Sequence, residues 1–102
     1  MRMAEFKCYE CNGKVITGDK FTFTKKGAVH SSCFIAARRK EVGNEKENEL
    51  MILSTLLDHQ LTYLLNLLSL KTDNDNISRI IKEAYKNIEK DAGETTRAIN
   101  SL

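Results

Sequence analysis

The sequence predicts a small α+β fold built from a knuckle, a β-hairpin and a helix over residues 1–43, then an antiparallel αα-hairpin over residues 44–102. Three observations predict it. All three cysteines and one of the two histidines fall between positions 8 and 33. Within that window, β-favouring runs alternate with glycine-containing turns. Beyond Gly43, apolar residues recur at steps of three and four, and the chain contains no proline.

The window reads Cys8-Tyr9-Glu10-Cys11, then eighteen residues, then His30-Ser31-Ser32-Cys33. This C-x2-C-x18-H-x2-C pattern supplies four ligands in two close pairs. It is the donor set and spacing of a closed tetrahedral zinc site, with Cys8, Cys11, His30 and Cys33 as ligands and Zn2+ as a structural ion. Three unrelated buried thiols and a surface histidine would leave two paired spacings to coincidence.

The flanks agree. Gly13, two residues after Cys11, allows a turn with φ > 0 that points amide N–H groups at sulfur. Val15-Ile16 and Phe21-Thr22-Phe23-Thr24 read as strands, with Thr17-Gly18-Asp19 turning the chain between them. Lys25-Lys26-Gly27 turns it again into Ala28-Val29-His30. Phe21 and Phe23 alternate with threonines, so they are expected to point into the small core. The run 32–42 lacks turn residues and reads as helix, capped by Ser31 or Ser32. Cys33 then lies in the first helical turn, where the positive helix end favours its thiolate.

Knuckle, hairpin and helix in this order resemble a treble-clef finger, or the first half of a LIM-type zinc finger. No second C-x2-C pair follows, which excludes a full LIM domain. A wider resemblance covers nearly the whole chain. The CxxC knuckle, the string Phe21-Thr22-Phe23-Thr24-Lys25-Lys26-Gly27-Ala28-Val29-His30, the HxxC pair and the two later helices are similar to a family of short archaeal proteins known only as a domain of unknown function. The resemblance implies zinc and a cytoplasmic archaeal setting. It implies no activity.

At 102 residues the chain is one domain, or a small module with an appendage. A module of about 40 residues buries too little apolar surface to be stable without its metal. Three cysteines cannot close a disulfide framework, which argues for a reducing, cytoplasmic compartment. Met1-Arg2-Met3-Ala4-Glu5 carries no apolar run, so no signal peptide is expected. Residues 1–42 hold nine Lys/Arg against four acids, and residues 43–102 hold seven against ten. The first part is therefore basic and the second mildly acidic. Lys25, Lys26, Arg38, Arg39 and Lys40 are the candidate contacts to nucleic acid phosphates; ordinary solubilising charge is the plainer account.

Asn44 reads as the N-cap of the second helix with Glu47 completing a capping box, and the helix runs over about 45–70. One stripe is Leu50, Leu53, Leu57, Leu61, Leu64 and Leu68. A second is Ile52, Leu56, Tyr63, Leu67 and Leu70, with His59 in its gap. Asp58-His59-Gln60 at the centre opposes a transmembrane reading. A polar loop leads to a third helix over about 76–100, capped from within 73–76, in which Gly93 either ends the helix or sits on its outer face. The third helix has one apolar face and the second has two. The surplus face must pack on the zinc module, a second copy or another protein. Heptad-like leucine spacing favours a homodimer through Leu50, Leu53, Leu57, Leu61, Leu64 and Leu68.

Nothing points to catalysis. Four protein ligands leave the metal no open position. The zinc-deaminase order of motifs is reversed and lacks its glutamate. Neither hairpin helix carries Glu-x-x-His, and there is no phosphate-binding glycine loop. His59 is the one spare imidazole and reads as a packed or rim histidine. The sequence thus predicts a non-enzymatic, self-associating interaction module with an unidentified protein partner, or else a nucleic-acid-binding zinc finger.

Overall fold

Two short antiparallel hairpins precede three helices in the computed structural model, which describes residues 6–102. The segment read for a signal peptide lies outside the described residues. β1 (Phe6–Lys7) pairs with β2 (Lys14–Val15), placing Phe6 opposite Val15. A two-residue strand is too short to show a periodic pattern, so β1 has no signature in the sequence. The chain between these strands is the knuckle. Cys8 N–H donates to the Gly13 carbonyl at 2.9 Å, and Asn12 N–H to the Cys8 carbonyl at 2.8 Å. The left-handed residue is Asn12, at φ 62°, not Gly13. Asparagine tolerates that conformation. Gly13 supplies room instead, because a Cβ there would stand 3.3 Å from the Cys11 sulfur.

β3 (Phe21–Thr24) and β4 (Gly27–His30) form the second hairpin, with Phe21 opposite His30 and Thr24 opposite Gly27. Lys25 and Lys26 make its tip, and Gly27 follows at φ 120°, where a side chain would be strained. Along β3, Phe21 packs partly buried against the core as expected, but Phe23 does not, and Thr22 is buried instead. Thr22 is 8% exposed and Phe23 is 53% exposed. The buried face of β3 lies against the last helix, where the Thr22 and Thr96 hydroxyls hydrogen-bond at 2.7 Å. Phe23 gathers with Phe6 and Phe21, in edge-on contacts of 5.1 and 5.5 Å to its ring.

α1 (Ser31–Glu41) continues from β4 without a loop. His30 is its N-cap and makes no side-chain capping bond, so neither serine caps it. Ser31 N–H is taken by the Lys20 carbonyl at 2.9 Å. Phe34 is the buried residue of this helix, and Arg38, Arg39 and Lys40 occupy its last turn, where helix carbonyls favour cations.

A 3-10 turn (Asn44–Lys46) leads into α2 (Glu47–Leu68). The expected capping box does not form. Asn44 is used inside the 3-10 turn, and Lys46 precedes α2 without a side-chain cap. Glu47 and Glu49 still place negative charge at the helix start. α3 (Asp75–Asn100) begins as expected, with the Asn74 side chain accepting the Ile77 N–H at 3.0 Å. Gly93 lies within α3 and does not end it. The short connection folds α3 back along α2.

One core joins both halves. Cys8, Val15, Ala28, Val29 and Phe34 from the first part pack with Leu50, Leu57, Leu61, Ala92 and Ile99 from the hairpin. The Lys20 ammonium reaches the Asp58 carboxylate across the junction at 2.8 Å. The first leucine stripe is thus largely consumed inside the chain. Leu50, Leu57 and Leu61 are buried, Leu53 and Leu64 half-buried, and Leu68 exposed. Leu50, Leu57 and Leu61 thus leave little surface for a second copy. Met51, Ile52, Leu56 and Tyr63 stay exposed instead. Among the described residues no helix is long and apolar enough to cross a membrane.

Candidate metal centre

The knuckle presents Cys8 and Cys11, the end of β4 presents His30, and the first turn of α1 presents Cys33. The four donor atoms lie within 4.8 Å of one another. The His30 Nδ1 is 3.4 Å from the Cys11 sulfur and 3.9 Å from that of Cys33. Donors bound at about 2.0–2.3 Å around one tetrahedral ion stand about 3.5 Å apart, so the cluster fits a single four-coordinate metal.

The histidine is oriented for that role. Its Nε2 lies 3.1 Å from the Lys14 carbonyl and 3.4 Å from an Asp19 carboxylate oxygen. A proton on Nε2 satisfies both acceptors and leaves Nδ1 with a free lone pair toward the sulfurs. Asp19 is itself held by the Ile16 N–H at 3.0 Å, inside the turn around Gly18. Two backbone amides soften the thiolate charge: Gly13 N–H points at Cys11 and His30 N–H at Cys8, at 3.3 and 3.4 Å.

Burial pushes the Cys8 thiol up, but amides of Cys11, His30 and Glu10 outweigh it and bring it down to about 6. Cys33 moves the other way, to about 11, through burial followed by hydrogen bonding and repulsion from Cys8 and Cys11. The helix-end assistance expected for Cys33 is therefore outweighed by burial first and by its sulfur neighbours second. Hydrogen bonding to Cys11 raises His30 above the ordinary imidazole range, against the opposing effect of burial. A divalent cation resolves this crowding by taking a lone pair from each donor.

The remaining candidate residues are placed less distinctively. Lys25 and Lys26 are exposed at the β3–β4 tip, with the Lys26 ammonium 5.7 Å from the Tyr9 ring centre. Arg38 pairs with Glu41 at 3.1 Å, while Arg39 and Lys40 are exposed. His59 is exposed on α2, away from the cysteines in the chain and outside the metal cluster. Asp19 and the Lys14 carbonyl are the supporting groups that sequence reasoning passes over. Asp19 is visible there as a turn residue, but nothing local signals its reach to His30.

A family model described as "Uncharacterized protein conserved in archaea (DUF2175)" matches residues 4–101. Comparison with curated proteins and with solved structures returns no match.

Proposed function

The chain belongs to that uncharacterized family conserved in archaea, and from this premise we propose a non-enzymatic, zinc-stabilised interaction module that self-associates through α2. Zinc is the ion this reading assigns to the Cys3His cluster, with knuckle, hairpin and α1 as a treble clef around it. Four protein donors leave no coordination position for a substrate, which suits a structural role. Thiolate ligation also suits a reducing cytoplasm.

The observation that carries the reading is the outer face of α2. Ile52, Leu56 and Tyr63 are 56, 44 and 48% exposed, after the inner face has filled the core. These residues repeat at helical spacing along a helix of 22 residues, which is about 33 Å long. A second copy is the occupant favoured by charge. Antiparallel α2 helices bring the acidic start of one, with Glu45, Glu47 and Glu49, toward the Lys71 end of the other.

Light scattering coupled to size exclusion is expected to give a dimer at micromolar concentration. The pair Ile52→Asp and Leu56→Asp is expected to yield a monomer with unchanged helical content. A monomeric parent chain removes self-association from the reading.

Exposed Phe23, beside the Lys25-Lys26 tip, favours a second reading as a nucleic-acid-binding module. On that reading, single-stranded RNA or DNA binds with an affinity that falls steeply as salt rises. Phe23→Ala weakens it by about 1–3 kcal/mol through lost base stacking. Fluorescence anisotropy at several salt concentrations checks both effects, and absence of binding at low salt eliminates this reading.

A further inference from the structure

Between β3 and the α2–α3 hairpin runs a groove of about 470 Å³. Its volume lies in the range of small-molecule sites, roughly 300–1,000 Å³. One wall is the phenylalanine cluster of Phe6, Phe21 and Phe23. The facing wall is α2, through Leu64, Leu65 and Leu68. α3 contributes Tyr85, Gly93 and Arg97.

The polar groups in this groove are few and mostly committed. Lys20 is paired with Asp58 at 2.8 Å, and Asp19 holds the Ile16 amide and faces His30. The Arg97 guanidinium has no hydrogen-bond or ion-pair partner among the described residues, and it is the cation of the groove lining left available. Gly93 lies one turn before it. A Cβ there would first meet the Arg97 guanidinium, at 3.8 Å, so the head group lies beside the opening left by the missing side chain. Glycine inside a helix costs about 1 kcal/mol relative to alanine. Here it keeps open a floor that any side chain would fill. Glu89 sits eight residues before Arg97, about 12 Å away along the helix. It makes the other end of the groove unfavourable for an anion.

We propose that this groove binds a small amphipathic carboxylate, an aliphatic or aromatic acid whose apolar body lies against the phenylalanines and α2 leucines and whose carboxylate is held by Arg97. The planar guanidinium offers two parallel donors to a carboxylate. Repulsion from Glu89 fixes the direction, with the tail toward Leu68 and Tyr85. The site is separate from the metal ligands, and the reading does not depend on self-association.

The test uses the full zinc-loaded chain with decanoate and its uncharged analogue decanol, each competing with the fluorescent probe 1-anilinonaphthalene-8-sulfonate. Decanoate is expected to displace the probe at a saturable site. Gly93→Leu, which puts a better helix former inside α3 and a side chain on the groove floor, is expected to abolish displacement by both competitors while helical content is retained. Arg97→Gln is expected to weaken decanoate about tenfold, as loss of a charge-assisted pair does, and to leave decanol unchanged. Amide shifts of the parent chain on adding decanoate are expected at Phe21, Phe23, Gly93 and Arg97. Lack of saturable binding overturns the proposal. So does displacement indifferent to Gly93→Leu, shifts confined to the outer face of α2, or equal weakening of decanoate and decanol by Arg97→Gln.

Discussion

Cys11→Ser is expected to release the metal and unfold the first 43 residues in one step. A hydroxyl is a poor substitute for a thiolate ligand, and the Gly13 amide loses its sulfur acceptor. The remaining ligands would keep three of four bonds, but the module around them is held by strands of two and four residues. Structural zinc contributes roughly 10–16 kcal/mol of apparent binding energy, comparable to or above the whole stability of an ordinary domain at about 5–15 kcal/mol. Native mass spectrometry should find one zinc per parent chain and none in the variant. Amide spectra should lose the dispersed signals of residues 6–43, while part of the α2–α3 helical signal survives. A chelator should reproduce the effect, and acid should too, because protons compete with the metal for sulfur and imidazole. A variant that retained one tightly bound zinc and a native spectrum would refute the ligand assignment.

Leu57→Ala is the second large effect expected. Leu57 is among the largest fully buried side chains, and it sits in the core shared by the two halves. Truncating a leucine in such a position removes transfer energy and leaves a cavity, for a loss of about 2–5 kcal/mol. Urea unfolding of the metal-loaded chain should show a lower midpoint with little change in slope. The shift should be the same at low and high protein concentration, since Leu57 faces the chain's own interior. Ile52→Ala on the opposite side should instead alter the concentration dependence of the transition. A Leu57→Ala effect that vanished on dilution would place the interface on the inner stripe after all.

Both expectations reflect how unevenly the fold was legible. The Cys/His cluster was readable because four residues of two rare types at fixed spacings carry their chemistry in the sequence itself. The hairpin helices were readable because their periodicity extends over many turns, and Asn74 was a cap of the expected kind. β3 was readable as a strand, but not which face it buries. A period of two divides its side chains into two sets, and only the packing partner selects between them. Thr96, 74 residues after Thr22, made that selection. The cap of α1 failed for a similar reason, since direct passage from β4 places His30 at the position a serine was expected to fill. The groove had no local signature at all. Phe6, Leu65 and Gly93 come from three distant segments, and Gly93 in the sequence is only a weak point in a helix.

The four ligands also differ in how solvent reaches them. Cys8 is 0% exposed beneath the knuckle, whereas Cys11 stands at the surface. A bound ion would therefore exchange directionally. An incoming thiol would reach the Cys11 sulfur before that of Cys8, which lies in the core below it. Any exchange of a bound ion would start at the ligand that stands at the surface.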